Sequence, residues 1–201
     1  MVANKKLLIE AERCLSECRY LGPVVKEHGA CEINLSGRDP FDTLISSIIA
    51  QQLSVKAANS IESRVRKVAG KKYKSNKLLS IPHQTLRECG LSNRKAEYIL
   101  GIAQATQDKS LDFNALAKLD DRDVIQQLVK LRGVGQWTAE MLMIFSLGRM
   151  DIFSSQDIGL QRGMRTLFGK KASSLQAMEK LAERWRPYRS VASWYLWKIV
   201  D

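Results

Sequence analysis

Residues 131–157, LRGVGQWTAEMLMIFSLGRMDIFSSQD, decide how the rest of the chain is read. The stretch opens on a Gly-x-Gly turn, runs into an apolar segment and closes on an acidic residue framed by small polar ones. Glycine has no Cβ, so Gly133 and Gly135 permit a sharp turn at positive φ and bring backbone N–H groups flush against a large partner, a phosphate being the obvious one. Between Trp137 and Leu147 only Thr138, Glu140 and Ser146 interrupt Ala, Met, Leu, Ile and Phe. That pattern predicts a helix apolar nearly all round and central in the core. Its anion-favouring N-terminus then lies at residues 134–136. Two plainer readings stand beside these. The glycines could merely end one helix and start another, and residues 154–157 could be a capping arrangement with Asp157 in a first helical turn.

Working outward, 201 residues suit one compact domain or two small lobes with a real core. A hydrophobic content of 45% is neither disordered nor membrane-like. No apolar run reaches spanning length, and the N-terminal MVANKKLLIEAERC carries charges where a signal peptide is apolar, which predicts an intracellular protein without a membrane partner. Thirty-two Lys and Arg against 21 Asp and Glu give a net charge of +11, which favours a polyanion, nucleic acid above all, unless the basic surface is only solvated. Cys14, Cys18, Cys31 and Cys89 have no further Cys or His to complete a metal site, and they read as unpaired buried thiols in a reducing compartment. His28 and His83 stand far apart, outside any metal or nucleophile pattern, and read as structural or surface residues.

In chain order, residues 4–19 read as a helix with Leu7, Leu8, Ala11, Cys14, Leu15 and Cys18 on one side, broken at Gly22-Pro23. Asp39-Pro40 is an N-cap with proline at the first helical position. The helix after it carries a single stripe of Phe41, Leu44, Ile45, Ile48 and Ile49. It ends in Gln51-Gln52-Leu53-Ser54. Ser54 caps a second helix with Val55, Ala58, Ile61, Val65 and Val68 inward and Gly70 as its stop. Gln51 and Gln52 therefore sit at a corner, where amides often satisfy nearby backbone. Arg64, Arg66, Lys67, Lys71, Lys72, Lys74 and Lys77 form a basic cluster that by itself reads as a solvated face. Helical segments follow at 86–90, from 91 to about 105, at 114–119, 121–131, 159–168, 174–185 and 188–200, with a kink at Arg186-Pro187. No strand-period segment and no internal repeat interrupts them, so the fold class is all-α.

The hairpin Leu131-Arg132-Gly133-Val134-Gly135 with Asp157 beyond the next helix resembles the helix-hairpin-helix DNA glycosylase superfamily. Within it, Gly135-Gln136-Trp137-Thr138-Ala139 and Ile152-Phe153-Ser154-Ser155-Gln156-Asp157 look most like the 3-methyladenine DNA glycosylases of bacteria and yeast. The likeness covers about residues 41–199. It implies a two-lobed fold with a DNA-binding cleft between the lobes. One lobe would comprise 1–39 and 156–201, the other 40–155 with the helix-hairpin-helix at about 121–147, and there would be no N-terminal β domain. It implies Asp157 as the catalytic carboxylate, Gln52 as a wedge replacing the extruded nucleotide, and Gln51, Leu53 and Ser54 beside it facing DNA. Arg132, Gly133, Val134, Gly135, Gln136 and Thr138 would bind DNA at the hairpin, and Arg94 and Lys95 would touch phosphate. Trp137 and Trp197 match aromatic base-pocket positions, while Met141 and Ile158 stand where bacterial relatives have tyrosine. No cofactor is required; the carbonyls of Val129, Leu131 and Val134 match a monovalent-ion site for Na+ or K+. Without cysteine after Cys89, the iron–sulfur cluster of some relatives is not expected.

The chemistry expected of such a site is simple. Breaking an N-glycosidic bond develops positive charge on the sugar, and a carboxylate on one face of the ring stabilises it and orients or deprotonates water. Strand-nicking members place a Schiff-base lysine where this chain has Trp137, which implies a monofunctional enzyme. Methylated purines such as 3-methyladenine and 7-methylguanine are cationic, and indole stacking on a cation is worth up to about 2 kcal/mol. The expected partner is double-stranded DNA with alkylated bases, hypoxanthine or ethenoadenine included, bound by a monomer. The alternatives are a uracil or mismatch glycosylase on the same fold and a non-catalytic helix-hairpin-helix DNA-binding module.

Overall fold

A computed structural model describes residue 2 and residues 4–33 and 38–200 of the chain. Among the described residues the architecture is all-α, and extended pairing is limited to an isolated bridge between Val2 and Arg149. The helices are α1 (Lys5–Ser16), α2 (Gly22–His28), α3 (Pro40–Ala50), α4 (Val55–Ala69), α5 (Ser75–Leu79), α6 (His83–Glu88) and α7 (Asn93–Gln107). Then come α8 (Phe113–Leu116), α9 (Asp121–Leu128), α10 (Gln136–Phe145), α11 (Ile158–Phe168), α12 (Leu175–Ala182) and α13 (Arg189–Lys198), with 3-10 turns at Gly169–Ala172 and Glu183–Trp185. No described helix is long and apolar enough to cross a membrane.

Two compact units divide the chain: a terminal unit of Met1–Gly37 with Met143–Asp201, and a central unit of Arg38–Leu142. Sequence placed the return to the terminal lobe at residue 156, whereas the chain changes unit inside α10. The reason is hydrogen bonding. Ser190 donates its N–H to the Met150 carbonyl at 2.9 Å and accepts the Ile152 N–H on its hydroxyl at 3.0 Å, while the Arg189 guanidinium grips Asp151 at 2.7 Å. Residues 149–152 are thereby tied to the start of α13. Residues 34–37, assigned by sequence to the terminal lobe, lie outside the described residues.

In the central unit the caps are those the sequence announces. The Asp39 carboxylate accepts the Asp42 N–H at 2.8 Å and Pro40 begins α3; Ser54 accepts from Ala57 and Gly70 stops α4 at φ 98°. Phe41, Leu44, Ile45, Ile48 and Ile49 are all buried, each worth roughly 1.5–3 kcal/mol of apolar burial. Val55 departs from the expected inward stripe and is 76% exposed. It is the first residue of α4, ahead of the turns whose Ala58, Val65 and Ala69 are buried. Helix α9 stops at Leu128 rather than 131, because the chain tightens into turns in which Leu131 bonds Leu128 and Val134 bonds Leu131, both at 3.0 Å.

Arg66 is part of this framework and not of a solvated basic face. Its guanidinium donates to both Asp42 oxygens (3.1 and 2.8 Å) and to Glu62 (2.7 Å), and it lies 4.3 Å from the Tyr73 ring centre. Burial alone would raise the Asp42 carboxyl, but hydrogen bonds from Arg66 and the Tyr73 N–H, with the charges of Arg66 and Lys72, outweigh it and hold it below the ordinary carboxylate range. A depressed carboxylate stabilises above its unfolded pKa, and that contribution is lost as pH falls through the lower folded value. Asp42→Asn is therefore expected to cost about 1.5–3 kcal/mol at neutral pH, as for hydrogen bonds to charged groups. In urea melts across pH, the deficit should stay constant above about pH 5 and shrink below about pH 4. A deficit independent of pH would remove the ion pair from the account.

In the terminal unit, α1 buries Ala11 and Leu15, while Leu7 and Leu8 are half-buried. Cys14 is exposed and Cys18 half-exposed, against the expectation of buried thiols, which only Cys31 and Cys89 meet. Cys14 follows Arg13 onto the outer flank, about 100° around the helix from Leu15. Helices α11 and α13 approach closely through Gly163, where an added Cβ would come 2.5 Å from the Leu196 carbonyl oxygen. The break expected at Arg186-Pro187 lies between the 3-10 turn and α13, and the peptide bond there is cis.

Candidate active site

Asp157 is the N-cap of α11. One oxygen, Oδ1, accepts the Leu160 N–H at 2.8 Å, which is the capping reading of residues 154–157 in its simplest form. The same oxygen accepts a second donor, the Trp197 indole Nε1–H, at 2.9 Å. Trp197 comes from the end of α13 and stacks at 5.6 Å on Phe145, the last residue of α10. Two N–H groups from two helices thus fix the orientation of a half-buried carboxylate. Its approach loop is braced as well: the Asp157 N–H bonds the Ser154 carbonyl, Ser155 donates to Glu179 at 2.6 Å, and Gln161 returns a bond to the Ser155 carbonyl at 3.0 Å.

Gly159 makes the indole contact possible. A Cβ there would lie 2.8 Å from Trp197 Cδ1 and 3.1 Å from Asp157 Oδ1. Sequence reading passed over Gly159, Phe145 and the Gly159/Gly163 pair, although glycines four apart in one helix are a legible sign of close packing. Ile158, expected to line a base pocket, is 72% exposed beside Asp157. Trp197 joins it in the terminal unit with its N–H engaged by the carboxylate. Trp137 and Met141 belong to the central unit, the first half-buried and the second buried.

The second cluster lies in the central unit at the α3–α4 corner and the hairpin. Gln51 is half-buried and its amide is used internally: Nε2 donates to the Gly133 carbonyl at 2.9 Å and to Thr138 Oγ1 at 3.0 Å. The backbone-satisfying reading of a corner glutamine therefore describes Gln51, and Thr138, at 1% exposure, is interior and not a surface donor. Gln52 behaves oppositely. It is exposed, with a positive φ of 56°, a costly conformation for a residue with a Cβ. Leu53 and Val55 are exposed beside it, and the Ser54 hydroxyl is spent on the cap.

At the hairpin only Gly133 has positive φ, at 87°, and a Cβ there would land in the Tyr98 ring. Gly135 lies outside the positive-φ range and has nothing within 4 Å of its missing Cβ, so its side of the turn is open. The Val134 N–H, expected to meet phosphate, bonds Leu131 instead, because Val134 is buried in the turn. Arg132 is 77% exposed, 3.4 Å from Glu97 and 5.8 Å from the Tyr98 ring centre. Gln136 is exposed and bonds Glu140 at 2.8 Å. Lys95, expected on phosphate, instead donates to the Ile49 and Gln51 carbonyls, whereas Arg94 is exposed. Arg64 likewise turns back, donating to Cys89 and Ser60, while Lys67, Lys71, Lys72, Lys74 and Lys77 remain on the exposed face.

The central unit and most of the terminal unit's return segment also match a known family model. The model of the HhH-GPD superfamily base excision DNA repair protein matches residues 45–187. The chain belongs to this superfamily. DNA-3-methyladenine glycosylase 1 of Schizosaccharomyces pombe is 32% identical over 169 residues, 82% of this chain and 74% of that one. The solved structure of the S. pombe 3-methyladenine DNA glycosylase in complex with abasic DNA superposes at a TM-score of 0.84 with 30% identity, covering 94% of this chain and 95% of that one. A DNA-3-methyladenine glycosidase structure from Bacillus halodurans has a TM-score of 0.78 and 36% identity, covering 96% and 89%. The all-α helix-hairpin-helix glycosylase fold expected from the sequence is thus the fold of this chain.

Proposed function

We propose that this protein is a DNA glycosylase that excises alkylated purines, 3-methyladenine and 7-methylguanine foremost, from double-stranded DNA in base excision repair. The observation that carries the reading is the Asp157 carboxylate held by the Leu160 and Trp197 N–H groups at the head of α11. The names of the S. pombe and B. halodurans relatives support it. Asp157 stabilises the cationic sugar as the base departs and orients the attacking water. Alkylated purines leave readily, so one carboxylate suffices without a dedicated acid. Gln52 fills the gap left by the extruded nucleotide, an extrusion that costs a few kcal/mol and least at damaged bases. Arg132, the open Gly135 side and the first N–H groups of α10 take the phosphates.

With Trp137 in place of a lysine near the hairpin, the reaction ends at the abasic site without strand cleavage, and the enzyme acts as an intracellular monomer. The Val129, Leu131 and Val134 carbonyls would hold an alkali cation; the turn bond from the Val134 N–H takes one of the two lone pairs of the Leu131 carbonyl and leaves the other for it. Bound there, the ion would add positive charge next to the phosphates. The deciding assay measures bases released from methylated and uracil-containing duplexes, with strand nicking read before alkali treatment. Release of methylpurines without nicking is expected. Release of uracil alone would favour a uracil glycosylase, no release a DNA-binding module, and nicking would overturn the monofunctional assignment.

A further inference from the structure

The carbonyls at the C-terminus of α3 have no partner within their own helix and carry the negative end of its dipole. Two oxygens at that end are met by one side chain from a different helix: Lys95 Nζ, in the first turn of α7, donates to Ile49 O at 2.8 Å and to Gln51 O at 2.7 Å. Burial of this ammonium lowers its pKa, as befits a group recruited inward. Gln51 is therefore pinned at both ends, its carbonyl by Lys95 and its amide by Gly133 and Thr138. The next residue is Gln52 at φ 56°, and the one after, Leu53, bonds back to the Ala50 carbonyl at 3.2 Å.

We propose that Lys95 is a positioning residue for nucleotide extrusion, holding the α3–α4 corner so that Gln52 keeps its left-handed backbone and stands rigid against the duplex. Through Gln51 the same tie links the corner to the hairpin, so that wedge and phosphate grip move as one piece. The inference rests on the reading of Gln52 as the wedge. Without the lysine, the Gln51 carbonyl loses its anchor and Gln52 relaxes toward ordinary negative φ, where its side chain leaves the projecting position. The defect then falls on opening the pair and not on the glycosidic bond.

The test is single-turnover excision of an alkylated purine from a fully paired duplex and from a duplex in which the lesion sits in an unpaired bulge. Lys95→Met is expected to slow excision from the paired duplex about tenfold, a loss of the size that a modest shift in barrier produces, and to leave the bulged substrate within about twofold. Lys95→Arg, whose guanidinium can also donate to two carbonyls, should restore much of the paired rate. Should Lys95→Met not fold, Lys95→Gln is read the same way. Gln52→Ala serves as the reference and should show the same paired-only loss, with the double variant no worse than either single. Equal loss on both substrates, or no loss beside a clear Gln52→Ala defect, overturns the role of Lys95. A Gln52→Ala protein with full activity on both overturns the wedge reading itself.

Discussion

Asp157→Asn is expected to leave a folded, DNA-binding protein that releases almost no base. The substitution is nearly isosteric. Asparagine is as good an N-cap as aspartate, and its carbonyl oxygen can still accept the Leu160 and Trp197 N–H groups that now meet at Oδ1. What disappears is the negative charge that, in the proposed mechanism, faces the developing cation on the sugar. Removing one preorganised electrostatic partner costs about 10²–10³-fold in mechanisms of this kind, and the carboxylate is also proposed to direct the water, so the loss should reach at least that range. Single-turnover base release and duplex affinity, measured on the same preparation, separate the two effects. A variant that retained wild-type release would remove Asp157 from the chemistry, and one that lost DNA binding equally would make its role structural.

Gly159→Ala should also cripple the enzyme, far beyond what its modest cost in stability explains. Alanine in the first turn of α11 gains up to about 1 kcal/mol of helix propensity over glycine. Against that, its Cβ would press on Trp197 Cδ1 at 2.8 Å and Asp157 Oδ1 at 3.1 Å, an overpacking that costs about 1–3 kcal/mol. The net cost is then about 0–2 kcal/mol, a fall in melting temperature of no more than several degrees. The change in geometry weighs more. The indole and the carboxylate must separate, and displacement of a catalytic group by a fraction of an ångström to an ångström costs up to about 10²-fold. Trp197→Phe is the companion variant: it keeps an aromatic ring beside Phe145 and removes the N–H that bonds Asp157. It should slow release of cationic and neutral bases alike, whereas a loss confined to cationic bases would return Trp197 to the stacking role read from sequence.

Sequence was informative where chemistry is local. The caps at Asp39 and Ser54, the stop at Gly70 and the apolar run of α10 are each decided within a turn or two of chain, and each appears as expected. Expectations failed where a partner came from far along the chain. Lys95 reads as a surface cation because its neighbours do not reveal that the end of α3 is waiting 44 residues earlier, and Thr138 reads as a surface hydroxyl until Gln51 is brought to it across 87 residues. Arg64 and Arg66 were absorbed by Cys89 and Asp42 for the same reason. Val55 and Cys14 failed more narrowly: both carry apolar-compatible spacing but sit at a helix start or on an outer flank, where periodicity overstates burial.

By itself the sequence determined the all-α class, the turn at Gly133 and the helix cap at Asp157, since glycine conformation, helix period and capping are properties of neighbouring residues. Only the tertiary structure decided which donors hold that acid and which amide is left to project. Those outcomes depend on α13 closing on α11 at two glycines and on α7 reaching the end of α3, and burial forces each long-range donor to find whichever acceptor the packing brings within 3 Å.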